Sequence, residues 1–131
     1  MFDWTPSLEI GVDEIDAQHR ALFELAGEFA VAVRARERYD RLEKLFAFLS
    51  RYTLEHFAAE ERFMRDVGYP GLAEQVVEHR EFKRRLDSLV PQWTSEGEST
   101  AMLLAMLGFL DSWMTEHIAV RDRRIGDYTR R

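Results

Sequence analysis

Four histidines occur in the chain, His19, His56, His79 and His117. Each falls on the apolar side of a segment with helical periodicity. Two have a carboxylate a short distance downstream, in His56-Phe-Ala-Ala-Glu60 and His117-Ile-Ala-Val-Arg-Asp122. Imidazoles and carboxylates converging in an apolar interior leave several polar groups stranded unless something inside binds them all. A metal ion is the economical partner, and histidine with carboxylate suits iron or a similar first-row ion.

The elements that must carry these side chains can be read from apolar spacing. Residues 1–12 form an irregular N-terminal loop, with Pro6 and Gly11 as breakers. From about residue 13 to 37, Ile15, His19, Leu22, Phe23, Ala26, Ala30 and Val33 recur at three- and four-residue steps, which predicts a helix. A second helix over 40–67 carries Leu42, Leu45, Leu49, Tyr52, His56, Glu60, Phe63 and Val67 on one stripe. Gly68 ends it, followed by Tyr69-Pro70, which cannot continue a helix. A third, over 71–90, places Leu72, Gln75, Val76, His79, Phe82, Leu86 and Leu89 inward, and Pro91 ends or kinks it. Thr94 to Glu98 reads as a linker, with Ser99 or Thr100 capping a fourth helix over 99–125. Met102, Met106, Phe109, Leu110, Trp113, His117 and Val120 form its apolar face. No segment alternates usefully with period two. The expectation is a single all-α domain over 1–131, an antiparallel up-down-up-down four-helix bundle.

Residues four apart on a helix face the same way, so His56 and Glu60 can hold one centre together. Alone, that spacing describes a solvated hydrogen-bonded pair equally well. Its place between Tyr52 and Phe63 on the inward stripe favours ligands. His117 and Asp122 are five apart, about 140° around an ideal helix. Both reach one site only if the helix ends there or bulges by a π-turn. Otherwise Asp122 pairs at the surface with Arg121, Arg123 or Arg124. His19 and His79, taken singly, would read as ordinary core histidines. One inward histidine on each of four helices is much harder to assign to chance. The phenylalanines, Trp113 and the methionines Met102, Met106 and Met114 are first of all core. Glu61 is expected to face solvent, and Glu74 and Glu78 to point away from Gln75.

Hydrophobic residues at 46% and charged residues at 32% describe an ordinary globular protein. A net charge of −6 argues against nucleic acid as a partner. The absence of cysteine excludes disulfides, zinc fingers and thiolate-held clusters. The start of the chain has no signal-peptide pattern, and the apolar run from Met102 to Leu110 is too short for a bilayer. The expectation is a cytoplasmic protein with no membrane association.

With these motifs in place, the chain resembles the hemerythrins, specifically the single-domain bacterial kind, over nearly its whole length. The resemblance rests on Trp4, on Asp16-Ala-Gln-His19, and on His56-Phe-Ala-Ala-Glu60-Glu61. It continues through Gly68-Tyr69-Pro70 and Trp113-Met-Thr-Glu-His117-Ile118 with Asp122. It implies a four-helix bundle holding two non-haem irons, bridged by two carboxylates and an oxo or hydroxo group. Glu60 and Asp122 match the bridges, His19 and His56 the ligands of one iron, and His79 and His117 two of three histidines on the other. The third histidine of that set is expected four residues before His79, where this chain has Gln75. The Gln75 amide oxygen would then coordinate, or a water would fill the position, or the second iron would bind poorly and leave one.

The resemblance implies binding of dioxygen, or of a related small ligand such as nitric oxide or peroxide, in a carrier, store or sensor. A sensor would need a partner protein, whose identity the sequence does not give. The alternative is a di-iron oxidase or peroxidase that uses the coordination position opened by Gln75. A third reading, a metal-free structural bundle, predicts that a chelator leaves stability unchanged.

Overall fold

The computed structural model describes residues 3–36, 39–96 and 100–130, and among them the regular structure is helical with no strand. A short 3-10 turn, Pro6–Leu8, precedes α1 (Asp13–Arg34). Next come α2 (Tyr39–Asp66) and α3 (Leu72–Glu96). The fourth rod has three parts: α4 (Thr100–Ser112), a π-helical segment (Trp113–Asp122) and α5 (Arg123–Thr129). Each long helix packs on its neighbour in sequence, and α1 closes the ring against α4. Connections this short force antiparallel neighbours, so the architecture is the expected four-helix bundle.

Local chemistry explains the boundaries. Asp13, Glu14 and Asp16 occupy the first turn of α1, where negative charge suits the helix dipole. Asp16 also accepts hydrogen bonds from the Ile10 and Gly11 backbone N–H groups at 2.8 and 3.1 Å, fixing the incoming chain. At the end of α2, Gly68 has φ +66°. Its N–H donates to Arg65 and that of Tyr69 to Met64, the Schellman pattern that a left-handed glycine makes possible.

Three expectations need correcting. The third helix does not stop at residue 90 but runs past Pro91 to Glu96. A proline removes one backbone donor without forbidding helix on both sides, and the next breaker in the sequence is Gly97. Gly97, Glu98 and Ser99, to which part of the linker and one cap were assigned, lie outside the described residues. Val120 is 45% exposed, not inward, because the π segment rotates it off the apolar face. On α2 the buried stripe is wider than expected, with Phe46, Thr53, Phe57 and Met64 joining Leu42, Leu49, His56 and Glu60. Leu45, Tyr52, Phe63 and Val67 are only half-buried.

Two apolar clusters leave a polar layer between them. The larger contains Phe29, Phe46, Phe57, Phe82, Met106 and Leu110, and the smaller Ile10, Ile15, Met64 and Ile125. His19 follows Ile15, Glu60 precedes Met64 and Asp122 precedes Ile125, each by three or four residues along its helix. The smaller cluster depends on a close backbone approach at Gly126, where a Cβ would stand 2.5 Å from the Ile10 carbonyl oxygen.

Candidate metal centre

All seven residues singled out from the sequence, His19, His56, Glu60, Gln75, His79, His117 and Asp122, are buried in this one layer. Glu60 and Asp122 are fully buried, and each carboxylate spans the layer. One Glu60 oxygen, Oε2, lies 3.2 Å from His19 Nε2 and 2.9 Å from His56 Nε2. The other, Oε1, lies 3.4 Å from His79 Nε2 and 3.9 Å from His117 Nε2. Asp122 repeats this arrangement, with Oδ2 3.1 Å from His19 Nε2 and Oδ1 3.1 Å from His117 Nε2. The centre thus has two halves, His19 with His56 and His79 with His117, joined by two carboxylates.

The π segment brings Asp122 into this arrangement. Its i→i+5 hydrogen bonding stacks residues five apart, which an α-helix would splay. The Thr115 hydroxyl donates to the Asp111 carbonyl at 3.0 Å, where the helical pattern changes. The surface pairing of Asp122 with neighbouring arginines, open from the sequence, is therefore excluded.

Gln75 sits beside the second half. Its amide N–H donates to Asp122 Oδ1 at 3.1 Å, and its Oε1 is buried without a hydrogen bond. Glu60 Oε1, Asp122 Oδ2, His79 Nε2 and His117 Nε2 are likewise buried and make no hydrogen bond. So many unsatisfied atoms facing one another are expensive to hold in a protein interior. Cations at the focus of these atoms would satisfy them. Among the described residues, two donor sets have their ligand atoms within 4.8 Å of one another: His19, His56, Glu60 and Asp122, and Glu60, His79 and His117. The residues present fit a pair of cations sharing Glu60.

The outward ring nitrogens support the same arrangement. His56 Nδ1 faces Gln18 Oε1 at 2.7 Å, and His79 Nδ1 faces Glu61 Oε2 at 2.8 Å. His117 Nδ1 lies 3.0 Å from Glu78 Oε2, an ion-pair contact without hydrogen-bond geometry. For His56 and His79, an acceptor at Nδ1 holds the proton there and leaves the Nε2 lone pair pointing into the centre. Glu61 does not face solvent, and Glu78 does not simply point away, as the sequence reading expected. Gln18 and Glu61 fall within motifs of the resemblance, but their pairing with an imidazole, like that of Glu78, was not readable, because each partner imidazole comes from a different helix.

Without a metal, the layer holds protons instead. Burial lowers the pKa of His19, but the Asp122 and Glu60 carboxylates beside it outweigh that, leaving the group at about 9. Burial also opposes charge on His117, yet Asp122 and Glu60 push it up to about 10. Burial raises Glu60, while the surrounding histidines, His56 foremost, hold it well below the usual carboxylate range.

Residues 10–128 match the family described as Hemerythrin HHE cation binding domain. The chain belongs to the hemerythrin family. It is 30% identical over 130 residues to a bacteriohemerythrin of Clostridium acetobutylicum, covering 97% of this chain and all of that protein. A bacteriohemerythrin of Stenotrophomonas maltophilia is 31% identical over 95% of this chain and 78% of its own length. A myohemerythrin of Riftia pachyptila is 31% identical over 88% of this chain and 82% of its own length. Against the hemerythrin pattern set out from the sequence, the departure is Gln75, and it falls in the half of the centre that holds His79 and His117.

Proposed function

We propose that this chain is a non-haem di-iron protein that binds dioxygen or a related small ligand, acting as a carrier, store or sensor. Supporting this is the pair of buried donor sets joined through Glu60, with Asp122 spanning the same two halves. His19 and His56 would hold one iron, and His79 and His117 the other, with Glu60 and Asp122 bridging. Gln75 would hold a water at the second iron, or coordinate through its free Oε1. Reduced iron supplies the electrons that make binding of an oxidising diatomic ligand reversible. The protein's part is to orient the imidazoles through Gln18, Glu61 and Glu78 and to keep bulk water out. Phe57, stacked on His79, and Trp113, stacked on His117, form an apolar wall on one side.

Among the described residues no helix is long and apolar enough to cross a membrane. Residues 1–131 are, on this proposal, one hemerythrin-like domain.

One observation favours a second reading, an oxidase or peroxidase. A cavity of 210 Å³ opens between α3 and the fourth rod and reaches Phe82, Phe109, Trp113 and His117. Its lining includes His117, a member of the half in which Gln75 replaces an imidazole, so a reductant or peroxide entering it would meet that half first.

The deciding experiment is elemental analysis after anaerobic loading with ferrous iron, followed by exposure to oxygen. Close to two irons per chain and a stable, reversible oxygen-dependent absorption support the carrier reading. Steady turnover of hydrogen peroxide with a reductant supports the enzyme. One iron or fewer overturns the dinuclear reading.

A further inference from the structure

The outward faces of the four histidines are not equivalent. On the Gln75 half, His79 is backed by Glu61, and Glu61 in turn by Arg65 at 3.8 Å. The Glu78 carboxylate, paired with Arg121, stands 3.0 Å from His117 Nδ1 as a charge contact without hydrogen-bond geometry. Two relays of the same order, arginine to glutamate to histidine, therefore converge on the half that lacks an imidazole. On the other half, His56 is backed by the neutral amide of Gln18, and His19 Nδ1 is buried with no hydrogen-bond partner among the described residues.

We propose that Glu61 and Glu78 are positioning residues that act through His79 and His117 to make the Gln75 half the more electron-rich half of the centre. This rests on the di-iron reading above. A carboxylate at Nδ1 draws the ring proton outward and makes Nε2 a more basic donor, whereas a neutral amide does so less. The arginines offset this only in part. Their side chains are 60% and 46% exposed, where water screens them, while the glutamates lie between them and the rings. A side-chain amide is a poorer donor than imidazole, so losing one imidazole lowers the electron density supplied to that iron. Two charged relays on the remaining imidazoles supply it from behind. The half with fewer strong ligands then still holds its metal and is the first to be oxidised.

The test uses the full chain loaded anaerobically with ferrous iron, comparing the parent with Glu61→Gln, Glu78→Gln and Gln18→Glu. Glutamine keeps the shape and an acceptor oxygen, so packing is preserved while the charge is removed. Iron content and affinity are read first, then the oxidation potential by spectroelectrochemical titration. Each glutamate substitution is expected to weaken one iron of the pair by roughly 10–100-fold, the size of effect typical of such outer partners, and to leave the other unchanged. Where both irons remain bound, the first oxidation shifts to higher potential, further in the double variant. Gln18→Glu shifts the other half to lower potential and narrows the separation. An unmoved potential in both glutamate variants overturns the proposal, and so does equal weakening of both irons. A parent that itself holds fewer than two irons overturns the di-iron reading, and that failure is visible before any variant is made.

Discussion

The two halves of the buried centre share their carboxylates but differ in how their histidines are held. His19 and His56 meet edge to face, with ring centroids 4.5 Å apart. His79 and His117 each lie flat against an aromatic ring, Phe57 at 4.0 Å and Trp113 at 3.9 Å. The first half has the larger set of close donors, and the second has fewer donors, charged outer partners and a neighbouring cavity. Two halves of one donor layer can therefore be unequal by construction. The shared carboxylates join the halves, and the outer partners distinguish them.

Removing what the halves share should have the largest effect. Glu60→Ala takes away the one side chain that faces all four histidines, so metal should be lost from both halves. In the metal-free protein the same change strands buried charged histidines and should cost about 3–5 kcal/mol of stability. Elemental analysis and urea unfolding check the two consequences. His56→Ala should also lose metal, and iron retained at the parent level would show that the first half is not a binding half.

Chelation comes next. If the iron pair supports folding, its removal lowers the melting temperature, and each site saturated roughly 1,000-fold above its Kd contributes about 4 kcal/mol. Calorimetry with and without a strong chelator measures this. Identical melting curves would favour the metal-free bundle.

A smaller change should make the halves more alike. Gln75→His restores the imidazole that the family pattern calls for, and should slow oxidation of the reduced protein and sharpen its oxygen-dependent absorption. Stopped-flow mixing with oxygen reads both. A variant indistinguishable from the parent would show that Gln75 does not control reactivity.

The bundle and the inner residues were legible because they rest on local periodicity. The stripe Leu42, Leu49, His56 and Glu60 marks a helix and its buried face without reference to any other helix. Asp122 was harder. Its five-residue separation from His117 fits one site only through a π segment, and nothing in the residue types dictates ten residues of it. Pro91 misled because one proline weakens a helix without always ending it. The pairings of Glu61, Glu78 and Gln18 with the imidazoles were not legible, although Gln18 and Glu61 fall within the motifs of the resemblance. Each residue sits at the rim of its own helix, and its role exists only once a neighbouring helix presents an imidazole.

Protonation draws the finest distinction between the halves. Both His19, at about 9, and His117, at about 10, stand above the ordinary histidine value of 6.5 in the metal-free protein. A raised pKa adds stability that is fully present below the unfolded value and disappears as pH climbs through the folded one. The metal-free protein should therefore weaken above pH 6.5 and lose this contribution through about 9 and then 10, the His19 half first. Glu60 works in the opposite sense: its lowered pKa adds stability above 4.5 that fails on acidification. Metal reverses the alkaline trend, because bound imidazoles are already deprotonated and protons only compete with the cation. Urea midpoints measured from about pH 6 to 10.5, with chelator and with iron, should diverge as pH rises. Parallel curves would mean that His19 and His117 are neutral before metal arrives, and that the carboxylates do not keep them charged in its place.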